Sequence, residues 1–239
     1  MIGRTMRKAL VRTAALVAAG LLLATGCGGS DGDEAASNGA PVEIVSSGPP
    51  SKYRGTELDR TIAKPDLTLT DTSGQAYDFK ARTADKVTLL YFGYTHCPDV
   101  CPTTMADLAR ALTKITPEQR ANVNVVFVTT DPERDTGPAL REWLDAIDPS
   151  FVGLTGPFEQ IQAAAKSGGV AVEPPRVGAD GMVTSTHGTQ VIAYSPDNVS
   201  RVIYLASVGL KPDGTPVGVT ADDFAHDLPL LLNPGGNTP

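Results

Sequence analysis

Cysteine is scarce in this 239-residue chain: there are three, too few for a disulfide-stapled scaffold. Basic residues are also short, 20 Lys and Arg against 27 Asp and Glu. Four of the basic ones (Arg4, Arg7, Lys8, Arg12) fall in the first dozen positions, and beyond them the balance is 16 against 27, or −11. Such a body is repelled by nucleic acid and by anionic lipid, so no nucleic-acid partner is expected. A long apolar run is missing too. The N-terminal apolar stretch, Thr13 to Thr25, has 13 residues, short of the roughly 20 that a spanning helix needs. No internal repeat is visible. With 41% hydrophobic residues, the remainder holds material for one ordinary domain with appendages.

The N-terminus has the order of an export signal: a basic start, an apolar centre, then small residues. Leu23-Ala24-Thr25-Gly26-Cys27 resembles a bacterial lipobox, although Ala24 stands where that pattern prefers Leu. The resemblance implies cleavage before Cys27 and lipidation of that cysteine. Residues 1–26 are thus read as a lipoprotein signal peptide. Residues 27–60, rich in Gly, Ser and Asp at their start, are read as a flexible tether. Residues 61–232 are read as the folded domain and 233–239 as a tail.

Within the domain, Leu67–Thr70 and Ala76–Phe79 flank the turn Asp71-Thr72-Ser73-Gly74 and predict an N-terminal β-hairpin. Val87–Tyr94 and Val123–Thr129 are apolar enough for strands covered on both faces. Helices are expected over Pro102–Ile115, Pro138–Ile147, Pro157–Lys166 and Ala221–Leu232, and a closing hairpin over Gly188–Ser195 and Arg201–Leu205. Alternating strands and helices imply α/β architecture with a parallel centre, to which the last hairpin adds an antiparallel edge.

The chemistry concentrates in Gly93-Tyr94-Thr95-His96-Cys97-Pro98-Asp99-Val100-Cys101-Pro102. Two thiols lie on a strand-to-helix turn, where free backbone N–H groups and the helix dipole favour an anion such as a thiolate. The Cys-x-x-x-Cys spacing lets both sulfurs, i and i+4 on one helix face, point at a single object, either one metal ion or each other.

Topology and turn together resemble the thioredoxin superfamily, here a central mixed sheet flanked by helices. Tyr91 through Pro102 is more narrowly similar to the hallmark of the Sco/SenC family of copper chaperones. Val126–Thr136, ending Asp131-Pro132-Glu133-Arg134-Asp135-Thr136, resembles that family's second motif, and Thr186–Asp197, with His187 leading into an apolar strand, its third. The resemblance implies copper, Cu(I) or Cu(II), held by Cys97, Cys101 and His187. No spacing rule by itself ties His187 to a cysteine 90 residues earlier. Two thiolates and one imidazole suit Cu(I), Cu(II) wants a further nitrogen or oxygen donor, and structural zinc wants four closed ligands. A plain structural disulfide between Cys97 and Cys101 would close a loop too small to constrain the unfolded chain much.

Three neighbours have two readings each. His96 competes as an imidazole ligand or stands behind the thiols and biases their charge. Asp99 donates an oxygen to Cu(II) or favours the helix N-terminus. Asp131, with Asp135, forms an acidic docking loop, or it makes a turn while Arg134 pairs with a nearby carboxylate. His226 is expected at the surface.

The resemblance further implies a lipid-anchored protein on the extracytoplasmic face of the bacterial cell membrane. It would take copper from an upstream donor and pass it to apo cytochrome c oxidase subunit II, for its binuclear copper centre. The rival function is a thiol–disulfide oxidoreductase that uses Cys97 and Cys101 to reduce the target's cysteines. A third, a peroxidase-like or redox-sensing thioredoxin relative, rests on fold alone.

Overall fold

The computed structural model describes residues 51–179, 181–206, 209, 212–214 and 217–235. The signal peptide, Cys27 and most of the tether lie outside the described residues. In chain order the elements are β1 (Thr56–Ala63), β2 (Thr68–Asp71), β3 (Ala76–Asp78), α1 (Phe79–Arg82), β4 (Val87–Gly93), α2 (Val100–Leu112), α3 (Pro117–Arg120) and β5 (Val123–Thr129). There follow α4 (Gly137–Asp145), β6 (Val152–Thr155), α5 (Phe158–Ser167), β7 (Arg176–Val177), β8 (Val183–Thr184), β9 (Gln190–Tyr194), β10 (Val199–Leu205) and α6 (Ala221–Leu232).

Eight strands form one mixed sheet in the order β1-β10-β9-β4-β5-β6-β2-β3, and β7 with β8 form a separate small ribbon. The centre is parallel, β4 against β5 and β5 against β6, while β9 joins β4 antiparallel. This is the mixed α/β sheet that the alternation of elements predicts. The two faces follow from the period of two along a strand. Leu89 and Tyr91 of β4 face Met105, Leu108, Leu140 and Phe224 in one core cluster. Leu90 and Phe92 face Phe79, Ile161 and Ala165 in the other. Both faces of β4 are covered, so every one of its residues is buried, which is why the run reads as continuously apolar.

Four expectations need correction. The tether expected over 27–60 is shorter, since β1 starts at Thr56 and Tyr53 is already buried. β1 is an edge strand, exposed at most positions and rich in charge, so it lacks the apolar alternation that marks a strand. Its attachment is backbone pairing with β10 plus the buried Asp227 carboxylate, which accepts from the N–H groups of Arg54 and Gly55 at about 3.0 Å. Gly55 permits this approach, because a Cβ there would meet Val202 and Tyr204 at 2.5 and 2.6 Å. The closing hairpin is not the sheet edge, since β1 covers β10. β6, only four residues long, is a strand between two expected helices, and through it the β2–β3 hairpin joins the main sheet. Finally, α2 begins at Val100, two residues before the expected start.

Candidate metal centre

β4 ends at Gly93, and residues 94–99 cross to α2 at the carboxyl end of the parallel strands. Asp99 is the N-cap of α2, its side chain accepting from Val100 N–H. Cys97 precedes the cap and Cys101 lies in the first turn, so the sulfurs do not share a helix face. They meet because one of the free N–H groups at the helix start, that of Cys101, points at Cys97 Sγ over 3.4 Å. Both cysteines are free and buried.

Gly93 makes room for this arrangement. A Cβ there would meet Cys101 Sγ at 2.9 Å and the rings of Tyr91 and Phe127 at 3.0 and 3.1 Å. Gly93 is thus a close-approach glycine under a sulfur.

The thiols are electrostatically unequal. Cys97 is held far below the usual thiol range, first by the hydrogen bond from the Cys101 thiol, against the opposing effect of burial, then by the N–H groups of Asp99 and Cys101. Cys101 is pushed far up, first by Cys97 beside it and then by burial. The resting pair is a thiolate at Cys97 and a thiol at Cys101.

His187 arrives from the segment before β9. Its backbone bridges to Val172, flanked by Gly188 N–H to Ala171 O at 2.8 Å and Glu173 N–H to Thr186 O at 2.9 Å. Its Nε2 lies 3.5 Å from Cys101 Sγ. Its Nδ1 is 3.0 Å from Gly188 O, a pure acceptor, so Nδ1 carries the proton and Nε2 presents its lone pair to the sulfur. The rings of Tyr91 and Tyr94 meet the imidazole edge-on, with centroids at 6.0 and 5.8 Å, and Tyr91 Oη is 3.7 Å from Cys101 Sγ. Two aromatic walls and a carbonyl therefore hold the ring.

The other candidates are placed differently. His96 is exposed, its Nδ1 3.0 Å from Thr95 Oγ1 and 3.6 Å from Asp135 Oδ1. Asp99, besides capping, has Oδ1 3.9 Å from Cys97 Sγ. Asp131 is buried and paired with Arg134, whose guanidinium also donates to Val183 O at 3.1 Å. That is the turn-and-ion-pair alternative rather than an exposed acidic loop. His226 donates from Nδ1 to Asp227, 2.7 Å away. Tyr91, Gly93, Tyr94 and Asp135 touch the site or its turn without having been singled out for it; a glycine ending an apolar strand was the one available signal. Among the described residues no three His, Cys, Asp or Glu side chains are drawn tightly enough to enclose a metal. The thiol pair and the imidazole are neighbours in an open arrangement.

Fold and site together define a thioredoxin-like α/β domain with a dithiol and an imidazole at the end of its parallel strands. The SCO1/SenC family model matches residues 55–206, and the chain belongs to that family. The apo Sco1 protein of Thermus thermophilus is 32% identical, with a TM-score of 0.62 over 75% of this chain and 97% of that one. ScoI of Bradyrhizobium japonicum, solved with copper bound, is 30% identical, with a TM-score of 0.56 over 72% of this chain and 99% of that one. A protein of Stutzerimonas stutzeri named for copper binding is 34% identical over 181 residues, 74% of this chain and 80% of its own length. The chain spans only 25%, 36% and 60% of three mitochondrial relatives. No helix among the described residues is long and apolar enough to cross a membrane.

Proposed function

We propose that this protein is a copper metallochaperone that carries the ion between Cys97, Cys101 and His187 and gives it up by stepwise ligand exchange. The recipient in this reading is apo cytochrome c oxidase subunit II, and the cargo comes from an upstream copper donor. Lipidation at Cys27 keeps the protein on the extracytoplasmic face of the membrane, where confinement raises its effective concentration near a membrane-bound acceptor. The observation that carries the reading is His187 Nε2, lone pair forward, 3.5 Å from Cys101 Sγ. A dithiol used only for electrons has no need of an imidazole fixed in that tautomer.

Two sulfurs and one nitrogen are a soft, low-coordinate donor set that fits Cu(I). The residues do the rest: His187 is held by Gly188 O and the tyrosine rings, and Cys97 is already a thiolate. Only the Cys101 proton must leave when the ion is taken up.

The experiment measures copper bound per chain by the reduced protein, and its affinity by competition with a chromogenic Cu(I) chelator. We expect loss of binding in Cys97→Ala and Cys101→Ala. For His187→Ala we expect affinity reduced by at least about 100-fold, since removing a ligand costs no less than removing the groups that orient it. A His187→Ala protein that binds copper as wild type does, or matures the oxidase fully, would overturn the proposal. That result favours the thiol–disulfide reductase, for which the thiolate–thiol pair at Cys97 and Cys101 is the supporting observation.

A further inference from the structure

Asp135 is fully buried, and the contacts described so far leave it without a task. Arg134 beside it is turned away onto Asp131. The carboxylate instead accepts from Thr95 N–H at 2.9 Å, Thr95 Oγ1 at 2.6 Å and Thr129 Oγ1 at 2.6 Å. Thr95 lies two residues before Cys97 on the crossing turn, whereas Thr129 ends β5. One side chain thus staples the thiol-bearing turn to the neighbouring strand, next to the backbone bond from Thr130 N–H to Gly93 O at 2.6 Å.

The proton inventory goes further. Thr95 has one hydroxyl hydrogen, and a carboxylate offers none, so that hydrogen goes to Asp135. Thr95 Oγ1 then acts as acceptor toward His96 Nδ1, 3.0 Å away. The ring is therefore protonated on Nδ1, which leaves Nε2 as the basic nitrogen of a side chain that is 55% exposed. His96, Thr95 and Asp135 form a chain that resembles the carboxylate-oriented imidazoles behind metal ligands, but here the imidazole is exposed to water, one residue before Cys97 in the chain.

We propose that Asp135 is a positioning residue which, through Thr95, holds the Cys97 turn and presents His96 Nε2 as a transient outer ligand for copper moving to or from Cys97. The copper part rests on the metallochaperone reading above; the orientation of His96 does not. In the transfer the nitrogen takes the ion as one sulfur bond is released, with no change of oxidation state and no proton moved from the chain.

The test uses Asp135→Asn, which has the same shape. Its amide oxygen can still accept from Thr95 N–H and Thr129, while its NH2 must donate to Thr95 Oγ1, and the Thr95 hydroxyl hydrogen is redirected to His96 Nδ1. A staple alone survives this change. The relay reverses: nitrogen NMR of the neutral His96 ring in reduced apo-protein should shift from the Nδ1–H to the Nε2–H tautomer. Copper transfer from the loaded protein to a Cu(I) chelator should slow about 10-fold, as expected when an orienting group is removed, in Asp135→Asn and in His96→Ala alike. Thr95→Val, which deletes the hydroxyl and keeps the Thr95 N–H bond, supplies the transfer readout if Asp135→Asn fails to fold. An Nδ1–H tautomer that persists in Asp135→Asn, or transfer at the wild-type rate in these variants, overturns the inference. A wild-type protein that takes up no copper sinks the metallochaperone reading and the transfer step, while the tautomer result still decides the positioning role.

Discussion

Replacing Gly93 with alanine places one methyl group where three neighbours already meet. The new carbon would lie 2.9 Å from Cys101 Sγ, and ring carbons of Tyr91 and Phe127 at 3.0 and 3.1 Å close the other sides. Ordinary contact starts at 3.4 Å, so the sulfur or the strand must yield by about half an ångström. Overfilling a packed core costs about 1–3 kcal/mol. Stiffening of the unfolded chain returns only about 0.4–1 kcal/mol, so destabilisation wins by about 1–2 kcal/mol. In a domain of this size each kcal/mol moves Tm by about 2–4 °C, which predicts a fall of about 2–8 °C in thermal unfolding of the reduced protein followed by circular dichroism. The site is hit harder than the fold, because ligand distances tolerate only about 0.2 Å. Chelator competition should show copper affinity at least about 10-fold weaker. A Gly93→Ala protein with wild-type Tm and wild-type affinity would refute the claim that this glycine exists to seat the sulfur.

Two further outcomes follow from buried ionisable groups. The Cys97 thiol, lowered to about 3 chiefly by the Cys101 thiol, lies below its unfolded value, so its contribution to stability is complete above about 9 and is lost as pH falls toward 3. Cys101 is shifted the opposite way, so its contribution is complete below about 9 and lost above. Stability of the reduced protein from this pair should therefore rise with pH up to about 9 and then decline. Alkylation mapped by mass spectrometry at pH 6 should modify Cys97 ahead of Cys101, and Cys101→Ala should raise the Cys97 pKa. Equal labelling of both thiols would contradict this. Asp227→Ala strands the N–H groups of Arg54 and Gly55 and the hydroxyl of Tyr204. Unpaired buried donors cost about 1–3 kcal/mol each, so Tm should drop by several degrees, with hydrogen exchange accelerated most in β1; β1 amides as protected as before would count against the latch.

The legible parts of the chain were those where local chemistry and period carry the information. β4 and β5 are apolar on both faces, α6 follows a Thr at its N-cap and repeats its apolar residues at helical spacing, and the two thiols sit between a strand and a helix. What escaped was held by distant partners. β1 is polar and exposed, and becomes a strand only because β10 offers an edge and Asp227, over 170 positions later, catches its leading amides. β6 is too short to show a period, and gains its place from the gap between β5 and β2. For Asp131 the sequence leaves two readings, an acidic docking loop or a turn with Arg134 paired to a carboxylate, and only the buried pairing with Arg134 chooses the second.

From its sequence alone the protein is an α/β domain with a nucleophilic thiol pair on its first parallel-strand turn, because hydrophobic period, turn residues and Cys spacing are local properties of the chain. His187 was named there through family likeness, with no spacing to justify it. Only the tertiary structure decided which imidazole faces the sulfurs, which thiol keeps its proton, and which of the acidic residues braces the turn. The first and last depend on groups tens of residues apart meeting within about 3–4 Å, the second on burial and on two sulfurs brought together by the turn, and at that range hydrogen-bond geometry and desolvation, rather than residue type, set the chemistry.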